Sequence, residues 1–174
     1  MTPTSTQSLP KQLNLGSIEG RRVIANFEGG RITSDAGIVL MSELDKKLKI
    51  TARFAQCFRD YRDSSQVKYS VDRLLAQRVY GIVLGYEDVN DHDQLRYDPA
   101  LAIALSKLNF IDANEAVLAG KSTLNRLEYC PETILDQANS RYHRIEHQPQ
   151  ELEKAFVDIF LDSYHKPPRQ IILD

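Results

Sequence analysis

Three groups of residues in this chain have types and spacings that could do chemistry. Asp91-His92-Asp93 sets two carboxylates beside an imidazole, a donor set suited to a metal centre or an acid/base pair. At a helix start the same carboxylates would accept backbone N–H bonds and face the positive end of the helix dipole, and that structural reading is the stronger one. Gly120-Lys121-Ser122 ends like a phosphate-binding loop. Such a loop needs a glycine five residues before Gly120, where Glu115 stands, and no clear strand precedes it, so nucleotide binding there is rejected. The third group is cationic. Arg73, Arg78, Lys121 and Arg126 could present ammonium and guanidinium groups to phosphates, and a helix N-terminus at Ser122 would add N–H donors, although each alone reads as a solvated surface charge. Lys11, Arg21, Arg22 and Arg31 bias the first segment positively, as suits an arm or hairpin lying along DNA. His92, His143, His147 and His165 accompany no Ser or Cys in a recognisable nucleophile elbow, which leaves independent hydrolase activity without support.

The frame around these residues is that of one ordinary domain. The chain has 174 residues, of which 42% are hydrophobic, enough for a core. Its formal net charge is −2, so no global positive field draws it to nucleic acid and any DNA contact must come from local patches. Apolar runs fall far short of the roughly 20 residues needed to cross a bilayer, and the start lacks the pattern of a secretory signal; a cytoplasmic protein without a membrane partner is expected. Cys57 and Cys130 belong to no metal-spaced pair and read as buried free thiols.

Periodicity and turn residues predict a mainly α fold. Residues 1–14 read as a flexible tail. Glu28-Gly29-Gly30 suggests the turn of a short β-hairpin over about residues 23–33. Helices are expected over residues 34–48, with Leu40, Met41, Leu44 and Leu48 facing inward, and over 51–58, burying Phe54 and Cys57. Residues 59–65 read as an exposed connection. The clearest helix follows Ser70, with Val71, Leu74, Leu75, Val79, Ile82 and Val83 as its apolar stripe and Gln77 facing elsewhere. Asn90 and Asp91 would cap a further helix, Asp98-Pro99 another, and Ser122 a third that ends at Pro131. A helix through Ile134, Leu135, Ala138 and Tyr142 is a further option. The last, over about 151–164, would bury Leu152, Ala155, Phe156, Ile159 and Phe160 before Pro167-Pro168 stops it. Ile171-Ile172-Leu173-Asp174 reads as the start of a strand buried on both faces, and no other confident strand is expected after Asn90.

Four phrases carry a family resemblance. Phe27-Glu28-Gly29-Gly30-Arg31-Ile32-Thr33-Ser34-Asp35-Ala36-Gly37 resembles the opening of DDE transposases of the insertion-sequence group called thirteen-eighty. In the same order, three more phrases look like that group: Arg78-Val79-Tyr80-Gly81-Ile82-Val83-Leu84-Gly85-Tyr86-Glu87-Asp88-Val89-Asn90-Asp91-His92-Asp93, then Ala119-Gly120-Lys121-Ser122-Thr123-Leu124-Asn125-Arg126-Leu127-Glu128, then Phe156-Val157-Asp158-Ile159-Phe160-Leu161. Together they extend over about residues 15–174.

The resemblance implies a helical N-terminal region, here residues 15–166, that engages the terminal inverted repeats of a bacterial insertion sequence. An RNase H-like α/β catalytic domain would begin at residues 167–174 and be cut off there. In the family three carboxylates of that domain hold two divalent metal ions, usually magnesium; the fragment alone is expected to need no cofactor and to be inactive. Asp174 would stand at or beside the first acidic position. The expected partner is DNA, with Arg31, Arg73, Arg78, Lys121, Ser122 and Arg126 as candidate contacts, and with self-association or pairing with intact transposase as further options. The rival expectation is a helical protein-interaction module that inhibits transposition without touching DNA.

Overall fold

A computed structural model describes residues 12–26, 33–106, 118–134, 143–166 and 168–171 of the chain. It opens with a hairpin of β1 (Gln12–Ile18) and β2 (Arg21–Asn26), antiparallel, with Leu13 opposite Ala25 and Ile18 opposite Arg21. The turn is Glu19-Gly20, at φ 49° and 76°, and two positive φ values in sequence suit a two-residue hairpin turn. A hairpin near the start is therefore present, but its strands are residues 12–18 and 21–26 and not the residues 23–33 expected from sequence. The Glu28-Gly29-Gly30 turn lies outside the described residues, and β1 starts inside the stretch that read as tail. Gly16, at φ 95°, sits where the register slips between Asn14 and Ser17, a bulge that a side chain would resist.

Next come α1 (Ile38–Leu48) and α2 (Ile50–Ala55), separated by Lys49 in the left-handed region at φ 57°. Asp45 fastens this corner: its carboxylate accepts from Thr51 N at 2.9 Å, from the Thr51 hydroxyl, and from the Tyr80 hydroxyl at 3.0 Å. The buried face of α1 is Ile38 and Ser42, whose hydroxyl donates to Val39 O at 2.8 Å. Leu40, Met41, Leu44 and Leu48, expected inside, are 40–55% exposed.

The central helix is α3 (Val71–Val83). Val71 and Leu74 pack into a cluster with Val89, Leu124, Leu127 and Ile145, while Tyr80 packs into another with Ile38, Leu95, Leu101 and Leu118. Its buried residues are Val71, Leu74, Gln77, Tyr80 and Gly81, and Ile82 and Val83 are about half exposed. The buried arc is thus turned by roughly one residue step, about 100°, from the apolar stripe read in the sequence. The physical reason is the position of its neighbours, since the clusters lie on the Leu74 and Gln77 side of the helix.

A 3-10 turn (Val89–Asp91) leads directly into α4 (His92–Leu95). Its side-chain cap is Asp88, accepting from Asn90 N at 2.8 Å, two or three residues before the caps expected from sequence. Asp98 caps α5 (Pro99–Ala104) through Leu101 N at 2.7 Å, with Pro99 at its first position as predicted. After α6 (Lys121–Glu128), β4 (Ile145–His147) pairs antiparallel with β3 (Phe58–Asp60). Both strands were missed in sequence, where residues 59–65 read as a connection and nothing after Asn90 but residues 171–174 read as a strand. Each strand is a three-residue segment, too short for alternation to register, and each forms only because the other is present. Buried Glu146 secures the pair, accepting from Ile134 N at 2.7 Å and the Tyr61 hydroxyl at 3.0 Å.

The last helix is α7 (Pro149–Asp162), held to α2 by the Phe54 and Phe156 rings, 4.7 Å apart, and by the Arg53–Asp162 ion pair at 2.6 Å. Ala155 is its buried residue, whereas Phe156 and Phe160, expected inside, are 65% and 40% exposed. Ile171 is outside regular structure, and residues 172–174, the rest of the expected terminal strand, are outside the described residues. So are residues 135–142, where a further helix was an option.

Candidate nucleic-acid interface

The acidic and imidazole groups of residues 91–93 do not converge. His92 is fully buried, and its ring is clamped by Gln77 of α3. The Gln77 amide faces Ala119 as one backbone unit faces another: Oε1 accepts from Ala119 N at 3.0 Å and Nε2 donates to Ala119 O at 2.7 Å. The second Nε2 proton goes to His92 Nδ1 at 3.2 Å. The proton of neutral His92 is then on Nε2, which is buried without a partner and faces Gly81, where a Cβ would stand 2.8 Å from the ring. Burial, reinforced by the Arg78 charge and opposed by Asp91, Glu128 and Asp93, lowers the His92 pKa. So enclosed, the ring favours its neutral form and packs α4 against α3.

Asp93 points the other way and occupies the end of α6. Its Oδ1 accepts from Lys121 N at 3.1 Å, and its Oδ2 lies 3.6 Å from Lys121 Nζ. The helix begins at Lys121 with Gly120 as its cap residue, so Ser122 stands in the first turn rather than before it. An internal carboxylate therefore already sits where the sequence suggested a phosphate.

The candidate cations among the described residues differ in their partners. Arg78 donates to Glu128, to Tyr86 O at 3.0 Å and to Glu87 O, tying α3 to α6 and to the loop that follows α3. Lys121 is exposed beside Asp93, and exposed Arg126, in the last turn of α6, is engaged in interactions of its own. Arg31 and Asp174 lie outside the described residues. Arg73, at the start of α3, lines an open depression of about 530 Å³ together with Asp60, Arg62, Ser64, Val67, Lys68 and Ser70. Sequence reading passed over Arg62 and Lys68, because a charged connection carries no periodicity that marks its direction.

The structure also joins Cys130 and His147, 3.7 Å apart from Sγ to Nδ1, a pairing that no sequence spacing signals. It is not a nucleophile and base. His147 Nδ1 is 2.8 Å from Cys130 O, which can only accept, so the nitrogen carries a proton. Burial pushes the Cys130 thiol up to about 11. Both cysteines are buried free thiols, as expected.

Among the described residues no three His, Cys, Asp or Glu side chains gather to hold a metal ion. No helix among them is long and apolar enough to cross a membrane.

The described residues form a mainly helical unit with a cation-lined depression beside β3 and the start of α3. A family model described as transposase DDE domain group 1 matches residues 15–174, and the chain belongs to that family of DDE transposases. No curated protein and no solved structure matches it. Transposases of this family act on DNA and in general use divalent metal.

Proposed function

We propose that this chain contributes DNA-end binding to transposition, by engaging the terminal inverted repeats of a bacterial insertion sequence of the thirteen-eighty group. The observation that carries the reading is the family match, which spans the helical domain from residue 15 onward. The proposal assigns no cleavage or strand transfer to these residues alone, because in-line attack at phosphorus requires carboxylates converging from separate elements around two metal ions. Asp174 is proposed to stand at or next to the first of those positions.

The test is binding of the purified chain to a duplex carrying the repeat that flanks its gene, against a scrambled duplex, over a salt series. Phosphate contacts weaken with salt, whereas base reading preserves a preference for the repeat. Preference for the repeat is expected, and equal weak binding to both would refute end recognition. Magnesium-dependent nicking of the repeat duplex would overturn the assignment of no cleavage.

A second reading is favoured by a separate observation. Leu40, Met41, Leu44 and Leu48 on α1, and Phe156, Val157, Phe160 and Leu161 on α7, are 40–65% exposed. Apolar faces of this kind suit a protein-interaction module that pairs with itself or with intact transposase. Sedimentation over a concentration series, of the chain alone and mixed with intact transposase, decides this reading, which a chain monomeric in both would eliminate.

A further inference from the structure

The depression between β3 and the start of α3 differs in charge from two other depressions among the described residues. The one between α2 and α7 is lined by Arg53 and Lys154 against Glu151, Asp158 and Asp162. The one beside α6 has Arg78 against Glu87, Asp88 and Glu128. Here Arg62, Lys68 and Arg73 face a single carboxylate, Asp60. That carboxylate is spoken for: Arg62 grips it with Nε at 2.8 Å and Nη2 at 2.7 Å. Burial pushes the Asp60 carboxyl up, but the hydrogen bonds and charge of Arg62 outweigh this and hold it below the usual carboxylate range. Arg62 is thereby neutralised and fixed in place, and the positive charge left over belongs to Lys68 and Arg73. No carboxylate among the described residues pairs with either; Lys68 rests against the Tyr69 ring, its Nζ 5.4 Å from the ring centre. Ser64 and Ser70 add hydroxyls to the rim, and the Ser70 side chain caps no backbone group.

In a chain of net charge −2, two unneutralised cations on one hydroxyl-lined concavity mark a place for an anion with several acceptor oxygens. We propose that this depression seats a backbone phosphate of the bound DNA, with Lys68 and Arg73 as its charged contacts and Arg62 held by Asp60 as its wall. The inference rests on the DNA-binding reading above and replaces the α6 end, where Asp93 already stands, as the principal phosphate contact. A seat of this kind positions the duplex and reads no bases.

The test compares wild type, K68A, R73A, the double variant and K46A in duplex titrations from low to moderate salt. Thermal melts check folding, and R73K serves as the charge-preserving partner should R73A fold poorly. Lys46 is an exposed cation of α1 paired with Glu43 at 2.6 Å and acts as the control. Each single variant is expected to lower the slope of log affinity against log salt by about 1, the double variant by about 2, and K46A by nothing. Repeat and scrambled duplex should weaken by the same factor, and R73K should retain the slope. A wild type that binds DNA while K68A and R73A keep its slope would overturn the seat and leave the DNA reading standing. A wild type that binds no duplex at any salt would sink both. Titration with inorganic phosphate is the last arm: saturable binding lost in R73A, without any effect of R73A on DNA, would make this a free-anion site and overturn the proposal.

Discussion

Replacing Gln77 by leucine would keep nearly the same volume at the centre of the domain while deleting three hydrogen bonds. The bonds run to Ala119 N at 3.0 Å, to Ala119 O at 2.7 Å and to His92 Nδ1 at 3.2 Å. Ala119 and His92 are both 0% exposed, so water cannot take the place of the lost amide. A buried polar group stripped of its partner costs about 1–3 kcal/mol. With three such groups sharing one site, and contributions that are not additive, the expected loss is about 3–6 kcal/mol. A domain of this size has on the order of 5–15 kcal/mol in total, so the variant should be barely folded or close to it. At roughly 2–4 °C per kcal/mol, Tm should fall by at least about 6 °C. Urea unfolding is the direct assay, and the midpoint should drop with the slope m unchanged. Amide exchange at Ala119 should accelerate even where the rest of the domain stays protected. A loss below about 1 kcal/mol, or a gain, would refute the reasoning, because it would mean that the Ala119 peptide is not held by Gln77 in a site closed to water.

Further outcomes follow from the same geometry. Gly81→Ala sets a Cβ 2.8 Å from the clamped His92 ring, so an overpacking cost of roughly 1–3 kcal/mol should exceed the gain of about 1 kcal/mol in helix propensity, read as a lower urea midpoint. Asp98→Ala removes the cap of α5 and should cost about 1 kcal/mol in the same measurement. His92 has a lowered folded pKa, so the unfolded chain binds the extra proton first; stability is full above the ordinary value of about 6.5 and falls as pH drops below it, by up to about 1.4 kcal/mol per unit until the folded pKa is reached. Denaturation at pH 7 and pH 5 checks this, and equal midpoints would contradict a ring buried in its neutral form. Cys130, with its thiol near 11, should resist alkylation at pH 8 in the folded protein and react once urea exposes it.

The sequence by itself determined where most helices lie and how several begin. Asp98-Pro99 capped α5 as read, the apolar spacing after Ser70 became α3, and Gly120 to Pro131 bracketed α6. These are local matters, since propensity, caps and breakers act within a few residues. The free, buried state of both cysteines also followed from spacing alone. Only the tertiary structure decided which face of each helix is inside. The stripes of α1 and α7 were legible, yet their burial depended on neighbours that stand elsewhere, while α3 buried Gln77 because its amide could satisfy the Ala119 peptide at a sequence distance of 42 residues. Pairing of β3 with β4 had the same origin: the strands are too short to announce themselves, and their bonds exist only once the chain has brought residues 58–60 against residues 145–147. The roles of the charged groups were decided in the same way. Arg78 and Arg73 are alike in the sequence, and the fold alone commits the first to internal partners and leaves the second facing an open concavity.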